Sequence, residues 1–392
     1  MADYSQEAVF AVNEIKSRAG QNGQFLNWVK VLPENQLKNL DNIYEMAEEA
    51  KKGGFTDLAI LGIGGSRHTT EAMMKMVGKD SHVHFYSSID PVSFKRFADT
   101  LDLDKTKFLV VSKSGGTLET TIAYESAKKL LEGKYSDLSD RFVAMTDKSA
   151  EKSKLRRAVD AGEIRLSGLV HDDVGGRFSI LDDATLFTLA WAGVSKEDTT
   201  KLLEASLKAQ DEFLNPNVDE NEALRLAVFN VESKLNGKKN HFVEYFGDAF
   251  AGATLWEKQM KNESLKSNIS TDTNVGPGYL HYNAEADLDP NNTDSFFTFV
   301  YVKTDDAATK ALMTGAMTAY KAQHPVTEIV LPDLSVETIA RFIELKHFET
   351  LYTGIILRAK TGGKVEEGSA LPEVLQPNVE IYKKEVKKLY QY

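Results

Sequence analysis

No cysteine occurs among the 392 residues of the chain. This absence excludes disulfides, thiol nucleophiles and thiolate metal sites, and it favours a cytoplasmic protein. The chain also lacks an apolar run long enough to span a membrane, and residues 1–5 are too polar to open a signal peptide. We therefore expect a protein without membrane association.

Positive charge is scarce as well. The chain has 47 Lys and Arg against 58 Asp and Glu, which gives a net charge of −11 at pH 7. This balance argues against a nucleic-acid partner, because such a partner requires a basic face. An anionic small molecule would meet overall repulsion, so its site must be locally positive.

Alternating apolar and amphipathic stretches predict the fold. The length allows two domains, and after a helical segment over residues 1–50 short apolar runs alternate with helical stretches. We expect an α/β protein with two domains, 51–195 and 196–365, each a parallel sheet flanked by helices, and a C-terminal loop and helix over 366–392. The expected strands are 58–61, 83–86, 108–111, 142–146, 241–245, 296–301 and 328–331, and the expected helices after residue 50 are 69–77, 92–99, 118–131, 149–161, 179–193, 196–213, 220–235, 249–262, 307–322, 337–358 and 379–389.

The most informative segment is FLVVSKSGGTLETT, residues 108–121. An apolar strand stops at a turn rich in hydroxyls and glycines, and a helix follows. Helix N-termini present unpaired N–H groups, and glycines let an anion approach the backbone closely. The segment therefore predicts a site for the phosphate of a small metabolite; the alternative is an ordinary capped helix start. The four hydroxyl candidates are Ser112, Ser114, Thr117 and Thr120.

A second glycine-rich turn, residues 62–66, follows the first expected strand. It does not fit a dinucleotide-binding fingerprint, because Arg67 stands where a third glycine is required. The turn would place the Ser66 hydroxyl at the carboxyl edge of the sheet, or it is a plain turn. Arg67 and His68 either face a cleft or are solvated.

Four further residues carry possible chemistry. Arg177 follows two glycines and could hold an oxyanion or lie on a surface loop. Glu263 ends an expected helix, where the helix dipole and burial would raise its pKa towards that of a base, although a solvated glutamate is the alternative. Lys383 lies in a basic run that could equally be a solvated face. His281 follows a Gly-Pro-Gly turn and is expected as a loop acid–base residue.

A metal site is not expected. His82 and His84 alternate with an apolar residue on a short expected strand. No histidine–carboxylate helix motif accompanies them, so the spacing does not indicate a metal-ligand set.

Taken in order, these segments closely resemble the phosphoglucose isomerase family in its shorter bacterial form, over nearly the whole chain. The most specific blocks are Ser-Lys-Ser-Gly-x-Thr at 112–117 and Gly-Gly-Arg-aromatic-Ser at 175–179. The resemblance implies two sugar-isomerase (SIS) domains, a homodimer, no cofactor and a small anionic sugar as substrate. Further matching segments are 25–28, 62–66, 146–148, 173–174, 263–264, 270–272 and 376–384.

The resemblance also implies roles in interconverting glucose 6-phosphate and fructose 6-phosphate through a cis-enediol. Glu263 would move a proton between C2 and C1, Arg177 would stabilise the enediolate, and Lys383 would help to open the ring. One carboxylate on one face of the sugar suffices for this proton transfer, so no metal or cofactor is needed. The sugar contacts would be Gly64, Gly65 and Ser66, and the phosphate contacts Ser112, Lys113 through its backbone, Ser114, Thr117 and Thr120.

One departure from the family pattern affects the ring-opening acid. The position of the family's ring-opening histidine, counted without gaps from Ser270, holds Asn274, which cannot shuttle a proton at neutral pH. His281 or His68 could replace it, or neither. Two alternatives therefore stay open beside the phosphosugar isomerase: an isomerase of a 6-deoxy-6-sulfo sugar, and a non-catalytic protein that binds sugar phosphates.

Overall fold

The computed structural model describes residues 3–366 and 368–389. In chain order its helices are α1 (Ser5–Arg18), α2 (Val31–Lys51), α3 (Gly65–Val77), α4 (Pro91–Asp99), α5 (Leu118–Glu132), α6 (Lys154–Asp160), α7 (Asp183–Trp191), α8 (Lys196–Phe213), α9 (Glu222–Leu235), α10 (Ala251–Leu265), α11 (Leu280–Asp287), α12 (Ala307–Lys321), α13 (Val336–Lys360) and α14 (Val379–Leu389). Its strands are β1 (Asp57–Leu61), β2 (Val83–Tyr86), β3 (Thr106–Val111), β4 (Phe142–Thr146), β5 (Leu166–Leu169), β6 (Asn240–Phe246), β7 (Ser270–Val275), β8 (Ser295–Val302) and β9 (Val326–Leu331).

The strands form two parallel sheets. The first has the order β2-β1-β3-β4-β5 and the second the order β7-β6-β8-β9. Helices connect successive parallel strands, as the geometry of parallel pairing requires. The expected α/β fold with two helix-flanked parallel sheets is therefore confirmed.

The described residues cluster into two compact units. The first unit contains the first sheet and comprises Val31–Met74, Gly78–Leu203 and the chain from Gln376 onward. The second unit contains the second sheet and comprises Glu204–Leu375, the chain up to Lys30 and Lys75–Val77. This division differs from four consecutive segments, because α1 packs on α13 in the second unit and α14 belongs to the first.

The core of the first unit lies between β3 and the helix that follows it. All six residues of β3 are buried, as expected for a central strand covered on both faces. Phe108 and Val110 pack with Ala123, Ala127 and Leu131 of α5. This packing fixes the start of α5 at the carboxyl edge of the sheet.

The core of the second unit is rich in aromatic residues. Phe297 and Phe299 of β8 lie edge-on to Tyr320 of α12, with ring centroids 4.7 and 5.4 Å away. Met313 and Tyr279 join the same cluster. None of the described helices combines the length and apolar character that a bilayer span requires.

Several element boundaries differ from the sequence-based expectation. The structure adds β5, β7 and α11, and α3 begins at Gly65 rather than at residue 69. Helix α6 begins at Lys154 rather than at residue 149, because the Ser153 hydroxyl accepts the Arg156 N–H at 3.2 Å and caps the helix there. Helix α7 begins at Asp183 rather than at residue 179, because Asp182 is its N-cap.

Candidate active site

Strands β1 and β3 are neighbours in the first sheet, and the chain leaves their carboxyl ends on the turns to α3 and α5. Strand β2 lies on one side of β1, whereas β3, β4 and β5 follow on the other side. The pair β1 and β3 is therefore the topological switch point, where α/β sheets bind ligands. Gly64, Gly65 and Ser66 follow β1, and residues 112–117 follow β3. The topology therefore brings together the two turns that the sequence had singled out separately.

The turn after β1 requires glycine at two positions. Gly64 has a φ of 59°, and its carbonyl accepts the N–H groups of Arg67 and His68 at 2.9 and 2.8 Å. Gly65 lies against the backbone of Gly176, and a Cβ on Gly65 would be 2.1 Å from the Gly176 carbonyl oxygen. This contact places the segment that carries Arg177 against the turn.

The turn after β3, residues 112–117, is called the anion cradle below. Groups from the neighbouring strand β4 and helix α6 donate hydrogen bonds to backbone carbonyls of this turn. The Thr146 hydroxyl donates to the Ser112 carbonyl at 2.8 Å, and the Lys154 N–H donates to the Ser114 carbonyl at 3.1 Å. These bonds fix the course of the turn, and the Gly116 N–H donates to the Ser114 hydroxyl at 3.2 Å.

The cradle continues into the N-terminus of α5. Gly115 has a φ of 59°, and a Cβ there would lie 2.2 Å from the Leu155 nitrogen. The hydroxyls of Ser112 and Thr117 are 3.4 Å apart, and the first α-helical hydrogen bond runs from Thr121 N–H to the Thr117 carbonyl at 2.9 Å. The amides of the first turn of α5 precede that bond and have no intrahelical acceptor, which makes them donors for an anion.

The side chain of Lys113 is turned towards the loop after β5. Its Nζ donates to the His171 carbonyl at 3.2 Å and lies 3.5 Å from Asp172. Burial acts to raise the pKa of Asp172, but the ammonium groups of Lys113 and Lys148 outweigh it and lower that pKa. Lys113 is therefore placed to contribute its backbone, rather than a free positive charge, to the cradle.

Arg177 lies in a short 3₁₀ helix, Gly176–Phe178, between β5 and α7. Its side chain is buried, and the guanidinium carbon lies 5.1 Å from the centroid of the Phe178 ring. A buried guanidinium stays charged and has five donors in a fixed fork. The contact of Gly65 with Gly176 explains how the backbone segment that carries Arg177 comes to lie against the turn after β1, which spacing alone did not indicate.

Helix α14 brings Lys383 to the cradle. One side of a cavity of about 240 Å³ is formed by cradle and α5 residues and the other by α14. Lys383 pairs with Glu380 at 2.9 Å. Glu119 lines the same cavity but was not predicted as a site residue. The sequence showed it only as an acidic residue two positions after Thr117. The lining residues are Ser114, Gly116, Thr117, Leu118, Glu119, Glu380, Tyr382, Lys383, Val386 and Lys387.

Thr120 lines a second cavity, which it shares with Ser112 and Gly115 of the cradle. It is buried, its Oγ1 has no hydrogen-bond partner among the described residues, and it lines this cavity of about 380 Å³ together with Tyr124 and Leu155. Ser114 and Thr117 are therefore the hydroxyls that face the cavity with Lys383.

Glu263 belongs to the second unit, near the C-terminus of α10. The Gln259 amide donates to its Oε1 at 2.9 Å, an i,i+4 bond that orients the carboxylate. Lys266 ends the helix with a φ of 54° and a ψ of −132°, a conformation that normally requires glycine. Helix α10 therefore ends soon after Glu263 in a strained backbone conformation.

His281 also belongs to the second unit, but the expectation of a loop residue was wrong. It is exposed on α11, because the turn at Pro277–Tyr279 leads directly into that helix. Asn274 lies in β7, and its amide donates to Glu244 at 3.0 Å. His68 lies in the first turn of α3 and is half-buried.

The side chains of His171, Asp182 and Asp183 lie within 4.8 Å of one another in the first unit. Their hydrogen bonds account for this arrangement. Asp182 accepts the His171 ring N–H and caps α7, while Asp183 accepts the Leu169 N–H and the Gln36 amide, each at 2.8 Å. The group joins the end of β5 to the start of α7.

Comparisons with known proteins agree with this arrangement. The phosphoglucose isomerase family model matches residues 14–284. A glucose-6-phosphate isomerase of Exiguobacterium sibiricum is 30% identical over 278 residues, which cover 67% of this chain and 60% of the relative. One of Mycoplasmopsis pulmonis is 32% identical over 258 residues, covering 62% and 57%. The chain thus spans about 60% of the length of the curated relatives it matches.

Solved structures share the fold. A hypothetical protein of Thermus thermophilus superposes with a TM-score of 0.84 at 21% identity, over 99% of this chain and 96% of that one. A glucose-6-phosphate isomerase of Chlamydia trachomatis gives a TM-score of 0.77 at 19% identity, over 97% and 77%. At these identities the likeness concerns the fold alone.

Proposed function

Because the chain belongs to the phosphoglucose isomerase family, we propose that it is an aldose–ketose isomerase that interconverts glucose 6-phosphate and fructose 6-phosphate. The observation that carries this proposal is the anion cradle at the switch point of the first sheet, with Lys383 lining the same cavity. In an acidic protein, helix amides, hydroxyls and a nearby ammonium group supply the local positive potential that a sugar phosphate needs.

In this proposal the phosphate binds the front of the cradle. Ser114 and Thr117 donate their hydroxyls, and the first amides of α5 add backbone donors. The backbone of Lys113 and the hydroxyl of Ser112 complete the cradle. Gly64, Gly65 and Ser66, at the neighbouring strand end, contact the sugar.

The isomerisation needs one proton to move between C2 and C1. We assign this step to Glu263, whose carboxylate is oriented by Gln259. Arg177 stabilises the oxyanion of the enediolate, a contribution of about 3–4 kcal/mol by comparison with other oxyanion donors. Lys383 assists the opening of the sugar ring. No step in this sequence requires a metal or a cofactor.

The substrate is tested by comparing kcat/KM for glucose 6-phosphate and for 6-deoxy-6-sulfoglucose. We expect the phosphate to be preferred, and Ser114→Ala and Thr117→Val to raise KM at least tenfold. Ser17→Ala, which removes an exposed hydroxyl in the second unit, is the matched control and should leave KM unchanged. A preference for the sulfonate would reassign the substrate, and saturable binding without turnover of either sugar would make the protein a sensor.

We further propose a cytoplasmic homodimer, on the basis of the family resemblance and the absence of cysteine. Light scattering coupled to size-exclusion chromatography tests the assembly. A mass near twice 43.6 kDa supports the dimer, and a mass near 43.6 kDa at micromolar concentration contradicts it.

A further inference from the structure

The segment 170–182, between β5 and α7, carries Arg177 and is called the Arg177 loop below. Side chains join its two ends. The Nδ1 atom of His171 is hydrogen-bonded to the carboxylate of Asp182, which also accepts the backbone N–H of His171 at 3.3 Å. This pair is called the loop clasp below. The proposed reaction uses Arg177 but leaves the clasp without a function.

Backbone hydrogen bonds continue from the clasp to Arg177. The Asp182 N–H donates to the Ser179 carbonyl at 2.9 Å, and the Ser179 hydroxyl donates to the Gly176 carbonyl at 2.7 Å. Gly176 begins the 3₁₀ helix that contains Arg177, and it lies against the backbone of Gly65. A movement of Asp182 would therefore be passed on to the residue that precedes Arg177.

The backbone of His171 is connected to the anion cradle. The Lys113 Nζ donates to the His171 carbonyl at 3.2 Å. Beside the clasp, the Asp183 carboxylate accepts the Leu169 N–H at 2.8 Å, so that the end of β5 and the start of α7 are held together as well. His171 thus lies between the cradle and the segment that carries Arg177, the two parts of the first unit on which the proposed reaction depends.

The clasp is an ion pair at neutral pH. Burial acts to lower the pKa of His171, but the hydrogen bond to Asp182 and the charges of Asp182, Asp183 and Asp172 outweigh it and raise that pKa. Asp172 faces Lys113 at 3.5 Å, whereas Asp183 lies 3.8 Å from the His171 Nδ1. Burial and the charge of Asp182 raise the pKa of Asp183. An imidazolium is therefore the cation that lets two adjacent buried carboxylates stay in place.

We propose that His171 is a positioning residue: paired with Asp182, it closes the Arg177 loop and sets the place of Arg177 relative to the turn after β1. This inference rests on the proposed function, in which Arg177 stabilises the enediolate. A displacement of ~1 Å removes much of such stabilisation, because the donor must meet the forming oxyanion at hydrogen-bond distance. The clasp should therefore affect turnover rather than phosphate binding.

A double-mutant cycle with Arg177 distinguishes positioning from a general loss of structure. His171→Leu removes the donor and should lower kcat for glucose 6-phosphate at least ~tenfold, with KM within about twofold of the parent value. In an Arg177→Lys background the same replacement should have little further effect, because the loop no longer carries the group that it positions. His82→Leu is the matched control, since it breaks an exposed pair with Asp57 at the start of β1, and it should leave kcat unchanged.

The pH dependence provides a readout that a loss of folded protein does not change. His171→Asn keeps an amide donor for Asp182 but carries no charge, so the ratio of parent kcat to variant kcat compares an ion pair with a neutral hydrogen bond. Because the pKa of His171 is raised above 6.5, the ion pair is complete below that pH and is lost as pH rises through the folded pKa. The ratio should be larger at about pH 6 than at about pH 9, since the titrations of other groups cancel between the two proteins.

Two results would overturn the inference in an enzyme that isomerises sugar phosphates: a kcat ratio that is the same at both pH values, or effects of His171→Leu and Arg177→Lys that multiply. Either leaves the proposed function standing. Absence of turnover with every sugar phosphate refutes the proposed function, and NMR then decides whether the clasp exists. The His171 ring signal, assigned by its loss in His171→Asn, should titrate above 6.5 in the parent and at a lower pH in Asp182→Asn. Titration at 6.5 in both proteins overturns the inference.

Discussion

Gly65 and Gly176 are in direct backbone contact, although they are more than one hundred positions apart in sequence. A Cβ on Gly65 would lie 2.1 Å from the carbonyl oxygen and 2.2 Å from the carbonyl carbon of Gly176. The neighbours in this contact are backbone atoms that cannot rotate away. The position of Arg177 relative to the turn after β1 therefore depends on the absence of a side chain at Gly65.

Gly65→Ala should lower turnover at least tenfold, since the added methyl group displaces the segment that carries Arg177. We also expect the free energy of unfolding to fall by about 1–3 kcal/mol, as for other overpacked sites. Gly133→Ala is the control, because Gly133 has a φ of −76° and open space around it. Equal kinetics for the two alanine variants would show that the contact does not position Arg177.

Thr120→Val should leave the KM for the sugar phosphate within twofold of the parent value. Its hydroxyl is buried without a partner among the described residues, so its removal should be neutral or stabilise the fold by up to about 1 kcal/mol. Steady-state kinetics and urea unfolding check both statements. A tenfold rise in KM would instead support the prediction from the sequence that Thr120 contacts the phosphate.

Four buried charges join α10 to α13 in the second unit. Lys261 lies 3.2 Å from Glu257 and 2.6 Å from Glu349, and Lys346 lies 2.7 Å from Glu257 and 2.6 Å from Glu349. Each lysine thus contacts both carboxylates, and the group as a whole is neutral. Such a group holds the two helices in one register, because sliding either helix would separate the charges.

Lys261→Met should destabilise the protein by about 3–5 kcal/mol, the cost of leaving a buried charge uncompensated. The double variant Glu257→Gln/Lys261→Met removes one charge of each sign and should recover part of that loss. Lys258→Met is the surface control, because Lys258 pairs with Asp272 in an exposed position. Urea midpoints measure all three, and similar midpoints for Lys261→Met and Lys258→Met would contradict the account.

Glu244 makes stability depend on pH. Burial raises its pKa from the ordinary value of 4.5 to about 8, although the hydrogen bond from Asn274 opposes this rise. The folded state therefore keeps a proton that the unfolded state loses, and stability decreases as pH rises from about 4.5 to about 8. The full effect is at most about 5 kcal/mol.

Glu244→Gln should remove this dependence while it keeps an acceptor for Asn274. Urea midpoints at about pH 5 and about pH 8.5 should differ less in the variant than in the parent. A variant whose midpoint shifts with pH as much as that of the parent would show that Glu244 is not the titrating group.

The sequence predicted those parts of the site that are local. A fully apolar strand, a turn of hydroxyls and glycines, and a helix follow one another in β3, the cradle and α5, and each element carries its own signal. Strands β5 and β7 were not predicted, because Leu166–Leu169 contains Ser and Gly and Ser270–Val275 is polar and lies at a sheet edge. Such strands owe their structure to pairing with a neighbour rather than to an apolar pattern.

Contacts between distant segments could not be read from spacing. Lys383 is more than 260 positions from Ser114, and a run of lysines on an amphipathic helix looks the same whether it is solvated or packed. Glu119 was overlooked because an acidic residue in a first helical turn is common. The roles of Arg177, Glu263 and Lys383 stay predictions that the experiments above address.

The most direct test of the account is the exchange of solvent deuterium into C2 of glucose 6-phosphate and C1 of fructose 6-phosphate. The parent protein should incorporate deuterium at both carbons, and Glu263→Gln should lower the rate at least ~100-fold while a control variant, Glu285→Gln on the exposed face of α11, keeps it. Undiminished exchange by a folded Glu263→Gln protein would contradict the assignment of Glu263 as the base, and with it the mechanism proposed for this chain.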